Sequence, residues 1–202
     1  MSIIIVGIHT GIGKTICSAI ICQALGYDYW KPVQAGLDGT DSNFIKKYVN
    51  NPGCIIHKER FALATPASPH YAAALDNIEI RKEDFILPAT ANKLLIETAG
   101  GLMSPLAKGF LNIDLVKQLG LPVILVSQDY LGSINHSLLT HDALVNRNIT
   151  IKGIVFSGTP NAASREFILT HTQLPLLFSI PFIEQISASS IAQAASTIGI
   201  NL

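Results

Sequence analysis

The run Gly7-Ile8-His9-Thr10-Gly11-Ile12-Gly13-Lys14-Thr15 follows directly on Ile3-Ile4-Ile5-Val6. It sets a glycine-rich turn ending in Gly-Lys-Thr between an apolar strand and an apolar helical stretch (Ile16, Ala19, Ile20, Ala24, Leu25). That is the layout of a phosphate-binding P-loop. Backbone N–H groups freed by the small residues can wrap a polyphosphate, Lys14 adds a point charge, and the Thr15 hydroxyl suits a magnesium ion. The helix that begins here turns its positive end to the same spot. The strict form of the motif has glycine at position 8; this chain has Ile8, with Gly7 one residue earlier.

Further segments carry candidate chemistry. In Trp30-Lys31-Pro32-Val33-Gln34-Ala35-Gly36, Lys31 stands between an aromatic residue and a proline that restricts the backbone. It is either a solvated lysine at an edge or a functional cation. Glu97-Thr98-Ala99-Gly100-Gly101-Leu102 closes an apolar strand with an acid, where a magnesium-binding carboxylate belongs in a P-loop protein. The two glycines then allow a close backbone approach to an anion; the plainer reading is a cap and a turn. In Ser127-Gln128-Asp129-Tyr130-Leu131-Gly132-Ser133-Ile134-Asn135-His136, Gly132-Ser133 opens an apolar-periodic helix. Its free N–H groups suit a carboxylate, or Ser133 is simply an N-cap. His136 reads as a residue of the helix surface. Asp41 heads another helix, as a first-turn acid or as a metal ligand beside Thr15 and Glu97. Thr65-Pro66-Ala67-Ser68-Pro69-His70 is a stiff, proline-bounded loop that lines a pocket or merely connects.

The elements that must position these residues are short apolar runs alternating with helical patterns. Strands are expected at Ile3–Val6, Tyr29–Val33, Lys93–Glu97, Val123–Ser127, Ile151–Phe156 and near Leu176–Ile180. Helices are expected near Lys14–Leu25, Asp41–Tyr48, Lys82–Thr90, Ile113–Leu119, Ile134–Asn146, Ala163–His171 and Ile186–Thr197. Unbroken hydrophobic stretches such as Val123-Ile124-Leu125-Val126 indicate burial on both faces, as in a parallel sheet covered by helices. The alternation predicts an α/β fold, one doubly wound, mainly parallel domain over the whole chain. Ligands of such sheets bind beyond the carboxyl ends of the strands. The region from Gly36 to His70 is the least regular.

Composition narrows the partners. In 202 residues, 49% are hydrophobic and only 14% charged, which implies a well-buried sheet or an added apolar dimer interface. Fourteen basic and 14 acidic residues cancel, without a basic cluster, so binding to nucleic acid or anionic membrane has little electrostatic support. Cys17, Cys22 and Cys54 lack metal-ligand spacing and are odd in number. No apolar run approaches the ~18 residues of a membrane span, and the N-terminus shows no cleavable leader. A cytoplasmic protein is expected.

Together these segments resemble the dethiobiotin synthetases. The resemblance rests on the Thr10-x-x-Gly-Lys-Thr loop with its early Gly7, on Trp30-Lys31-Pro32-Val33, on Glu97-x-Ala99-Gly100-Gly101-Leu102 and on Leu131-Gly132-Ser133-Ile134-Asn135-His136. Weaker echoes are Ser68-Pro69-His70 and Ile180-Pro181-Phe182. The motifs occur in family order along nearly the whole chain. The resemblance implies ATP- and Mg2+-dependent ring closure of 7,8-diaminopelargonate with CO2, through a carbamate and a carbamic–phosphoric anhydride. It implies Lys31 and Lys14 as catalytic residues and Thr15, Asp41 and Glu97 as metal ligands. Gly11, Ile12, Gly13, Ile16, Thr98, Ala99, Gly100, Ser157, Gly158, Pro181 and Phe182 would join Lys14, Thr15, Asp41 and Glu97 around the nucleotide. Thr10, Ala35, Gly101, Gly132, Ser133, Ile134 and Asn135 would join Lys31 around the substrate, the last four across a homodimer interface.

The chain departs from that family at four places. Ala35 replaces a common hydroxyl residue, and Thr98 a usual glycine. Ser157-Gly158 falls where an Asn-Asp-type pair often reads the adenine amine, a paired contact that a serine hydroxyl cannot make. Phe182 replaces a tryptophan. The rival of a different class is a positioning ATPase of the ParA/MinD type, which carries a signature lysine at the place of His9; a nucleotide-binding relative without catalysis is a third reading. Amide synthases of the cobyrinic-acid type share the core but need an added glutaminase domain.

Overall fold

The computed structural model describes residues 1–199. Its main sheet contains β1 (Ile3–Gly7), β2 (Asp28–Trp30), β4 (Ile56–His57), β6 (Leu94–Glu97), β9 (Val123–Gln128), β10 (Ile151–Ser157) and β11 (Leu176–Ser179). These seven lie in the order β11-β10-β9-β1-β6-β2-β4, and every neighbouring pair is parallel. The helices are α1 (Lys14–Leu25), α2 (Asp41–Tyr48), α3 (Pro69–Leu75), α4 (Asn112–Leu119), α5 (Ser133–Val145), α6 (Ala162–Thr172) and α7 (Ala188–Thr197). Strand β1 is central and buried throughout, with β6 on one side and β9 on the other. The chain goes from β1 to one flank (β2, β6) and then crosses to the other (β9, β10, β11). The carboxyl ends of β1, β6 and β9 therefore meet at a topological switch point, where an open α/β sheet holds its ligand. The expected parallel α/β architecture is what the chain adopts. Among the described residues, no helix is long and apolar enough to cross a membrane.

Several segments differ from the sequence reading. The expected strand Tyr29–Val33 divides at Lys31-Pro32: β2 stays in the main sheet, while β3 (Val33–Ala35) pairs with β5 (Phe61–Leu63) in a separate parallel ribbon. Proline has no N–H to continue the ladder, and its carbonyl instead accepts from Arg60 and Phe61 N–H at 2.9 and 3.0 Å. The expected helix Lys82–Thr90 contains only one 3-10 turn, Lys82–Asp84. Pro88 disfavours helix at the residue before it, and Phe85 is pulled into a second hydrophobic cluster, its ring 5.6 Å from Phe61 and 5.7 Å from Phe110. Conversely, helix α3 begins inside the segment read as a proline-bounded loop. Ser68 is its N-cap and Pro69 its first residue, the one helical position that proline favours. A hairpin, β7 (Pro105–Ala107) with β8 (Phe110–Leu111), was also not expected.

The outer flank of the sheet is tied by Asp28, which is fully buried. One oxygen accepts from Ile55 N–H (2.9 Å) and Asn92 Nδ2 (3.0 Å); the other accepts from Thr90 Oγ1 (2.6 Å) and contacts His57 Nε2 (3.0 Å). Burial pushes its carboxyl up, but the bonds from Thr90, Ile55, His57 and Asn92 outweigh it and hold the group below the usual carboxylate range. A folded pKa below the unfolded one adds stability that is complete above the unfolded value and is lost as pH falls through the folded one. Asp28→Ala orphans several buried donors and should lower stability at pH 7 by about 3 kcal/mol. Thermal melts should show this as a drop of roughly 6–12 °C. The deficit should shrink as pH falls below about 4; an equal deficit at pH 7 and pH 3 would refute this account.

Candidate active site

The P-loop closes tightly over the end of β1. A methyl group at Gly7 would lie 2.8 Å from Ile12 Cδ1 and 3.0 Å from Lys14 Cδ. Gly7 therefore provides the space through which the lysine stem passes, which is why glycine is needed there although position 8 is Ile. Gly13 is the N-cap of α1 with φ 93°, a left-handed conformation open to glycine. Lys14 is buried and donates to the His9 carbonyl at 3.1 Å. Burial, then the neighbouring charge of Lys31, push its ammonium down to about 8 against the pull of Glu97 and Asp41.

Glu97 ends β6 next to β1 and is 1% exposed. Its Oε1 accepts from Thr15 Oγ1 (2.9 Å) and Lys31 Nζ (3.2 Å), and its Oε2 from Ser18 Oγ (2.7 Å) and Tyr29 OH (3.0 Å). Asp41, first residue of α2 behind its N-cap Thr40, accepts from Thr15 Oγ1 at 2.7 Å and pairs with Lys31 at 2.6 Å. Lys31 also donates to the Thr98 carbonyl at 3.2 Å. Burial alone would lower the Lys31 pKa; the two carboxylates outweigh it and hold the ammonium above its ordinary range. Burial likewise opposes the Asp41 charge, but Lys31 and Thr15 hold its carboxyl low. Lys31 is thus neither solvated nor at an edge, and Glu97 is not a helix cap. Thr15, Asp41 and Glu97 bring three hard oxygen donors together, which is the donor chemistry magnesium takes.

Beside Lys31 opens a cavity of about 440 Å3, bounded by Thr10, Ala35, Asp41, Ser68 and Ala99-Gly100. Its floor is pinned by Asn112, fully buried, which donates to the carbonyls of Ala99 (2.5 Å) and Gly101 (2.9 Å). Gln34 reaches the carbonyls of Ala35 and Gly36 at 3.3 and 3.1 Å and accepts from Asp41 N–H at 3.2 Å. Thr98 turns away from this cavity and donates to the Ile5 carbonyl at 3.1 Å. A smaller cavity of about 270 Å3 lies on the far side of the loop, lined by Gly11, Ile12, Gly13, Ile16, Ser157, Gly158, Pro181 and Phe182. The Ser157 hydroxyl donates to the Ile12 carbonyl at 2.6 Å, so its hydrogen is spent on holding the P-loop. Phe182 is 90% exposed at the rim.

The structure therefore gathers Thr10, Lys14, Thr15, Lys31, Ala35, Asp41, Glu97 and Ala99-Gly100 in one place and the 157–158 and 181–182 residues in the adjoining cleft. Gly132, Ser133, Ile134 and Asn135 line neither cavity. Gly132, not Ser133, is the N-cap of α5, and Ser133 is buried with its hydroxyl unpartnered among the described residues. His136 pairs with Tyr130 OH at 2.6 Å and, with Gly101, lines a third cavity next to the loop. Sequence reasoning passed over Ser18, Tyr29, Gln34 and Asn112. Two left a signal: Ser18 is one helical turn from Thr15, and Tyr29 is two residues from Lys31, the spacing of one strand face. Asn112 left none, because its partners are about a dozen residues away.

The sequence model of a family described as an AAA domain matches residues 1–190. A protein named ATP-dependent dethiobiotin synthetase BioD, from Cytophaga hutchinsonii, is 46% identical over 192 residues, covering 95% of this chain and 93% of that one. Its namesake from Chlamydia pneumoniae is 41% identical over 94% of this chain and 85% of its own; that from Christiangramia forsetii is 49% identical over 78% and 76%. Among solved structures, a ParA family ATPase from Chlorobium tepidum TLS superposes with a TM-score of 0.60 at 12% identity, over 98% of this chain and 99% of that one. The cell division ATPase MinD of Pyrococcus furiosus superposes with 0.55 at 14% identity, over 96% and 97%. The two solved structures speak for the fold alone. Identity above 40% over nearly the full length of both chains speaks for more, and this chain belongs to the family of ATP-dependent dethiobiotin synthetases.

Proposed function

We propose that the chain, as one P-loop domain, closes 7,8-diaminopelargonate (7,8-diaminononanoate) and CO2 into dethiobiotin at the expense of ATP, the penultimate step of biotin biosynthesis, in the cytoplasm. The observation that carries this reading is Lys31 Nζ held between Asp41 and Glu97 at the mouth of a cavity that Thr10 and Gly100 share with the P-loop. One amine of the substrate attacks CO2 and loses a proton, giving a carbamate. A carbamate oxygen takes the γ-phosphoryl group of ATP, releasing ADP and forming a carbamic–phosphoric anhydride. The second amine attacks the carbamate carbon, phosphate leaves, and the cyclic urea closes.

The difficulty is bringing an anionic carbamate against an anionic triphosphate. Lys14 and Lys31 are buried cations on either side of that encounter, and low solvent access makes their charge count for more. Thr15, Asp41 and Glu97 would hold Mg2+, which supplies charge neutralisation to the phosphates when bound. The base would rest against Ile12, Ile16, Pro181 and Phe182, with no side-chain amide at 157 to read it. Gly132–Asn135 would receive the substrate carboxylate from a second copy of the chain, consistent with exposed Leu131 and Leu139 on the same helix and its approach. The active form is then a homodimer.

Supplied with diaminopelargonate, bicarbonate, Mg2+ and ATP, the protein should form dethiobiotin, detected by mass; ATP hydrolysis without that product refutes the reading. Lys31→Gln should reduce turnover by about 10²–10³ while ATP affinity changes by less than about threefold, read by calorimetry. Near-normal turnover would remove Lys31 from the chemistry. With ATP, CTP and GTP, rates should fall within roughly tenfold of one another, a free-energy difference of about 1.4 kcal/mol. A preference for ATP of a hundredfold or more would show that some group does read the base.

A further inference from the structure

At the opposite end of the sheet from the P-loop, where β9 and β10 begin, lies the largest of the described cavities, about 540 Å3. That volume is in the range of small-molecule sites. Its charged side chains are Lys117 at the end of α4, Arg147 just beyond α5, and Lys152 on β10, with no acidic residue among its lining. None of the three forms an ion pair among the described residues. Arg147 spends one N–H on the Ala143 carbonyl at 3.4 Å. A cation in a last helical turn is answered by the helix dipole, which accounts for Lys117. It does not account for Lys152, half-buried on a strand. In a chain of zero net charge, this is a local excess of positive charge without internal compensation. The remaining wall is mixed: Val116, Leu121, Pro122 and Ile149 are apolar, and Asn148 and Thr150 are neutral polar residues.

We propose that this cavity binds a small amphipathic anion, its carboxylate, sulfonate or phosphate head between Arg147 and Lys152 and its apolar body against Leu121 and Ile149. Cationic donors to an anionic head give the stronger class of hydrogen bond, and the apolar wall excludes water from the rest. The site shares no residue with the P-loop, Lys31 or Glu97, so it stands apart from the proposed reaction.

The probe is 8-anilinonaphthalene-1-sulfonate, with neutral N-phenyl-1-naphthylamine as the same ring system without the charge. In the full chain saturated with Mg2+ and ATP, fluorescence should report saturable binding of the sulfonate at one site. Arg147→Gln with Lys152→Gln should weaken it at least about tenfold and leave the neutral dye unaffected. Lys58→Gln with Lys108→Gln, an equal loss of charge elsewhere, should change neither. Thr150→Trp, which crowds the cavity without altering charge, should also weaken the sulfonate and decides the matter should the double variant not fold. Equal affinity for the two dyes, or undiminished binding in the Arg147/Lys152 and Thr150 variants, would overturn the proposal.

Discussion

Glu97 is a carboxyl group almost entirely removed from water, and this end of the sheet is arranged around supplying it with hydrogen-bond donors. A buried carboxylate without partners is among the most costly groups a fold can contain. Here helix α1 supplies two hydroxyls, strand β2 a phenol, and the turn after β2 an ammonium. The donors come from two parts of the chain, 15–18 and 29–31, so one side chain sets the distance of α1 and the Lys31 turn from the end of β6. The same contacts aim Oε1 toward Thr15 and Lys31 and tie Oε2 to structural donors.

The ion pair of Lys31 with Asp41 and Glu97 follows from the break at Pro32. Had β2 run on through Val33, Lys31 would be an ordinary ladder residue. Because proline ends the ladder, the chain leaves the main sheet at Lys31 and starts a ribbon with β5. That departure opens the cavity bounded by Ala35, Ser68 and Gly100. The second hydrophobic cluster, with Val33, Phe61, Leu63, Phe85 and Leu106, packs beneath it and gives the cavity a fixed wall.

Much of this was legible in the sequence. The hydrophobic strands at 3–6, 93–97, 123–127 and 151–156 were visible because burial on both faces leaves unbroken apolar runs. The P-loop was visible through its glycines, and Lys31 and Glu97 through their places at strand ends. Within the segment from Gly36 to His70 only helix Asp41–Tyr48 was legible; β4, β5, α3 and the stretch after Lys82 were not. Their structure depends on burial of Phe61, Phe85 and Leu63 against distant residues, and local propensity carries no record of that.

The sequence by itself determined the order of strands and helices, the phosphate loop and the types of residue able to hold metal and charge, because period, glycine placement and side-chain chemistry are local properties. Tertiary structure alone decided that Lys31 would lie between two carboxylates, that the Ser157 hydroxyl would donate to the P-loop carbonyl of Ile12, and that Asn112 would hold the glycine turn. It also explained Gly7, whose missing side chain makes room for the stem of Lys14. These are contacts between residues far apart in the chain, and they come into being only when the sheet brings its strand ends together.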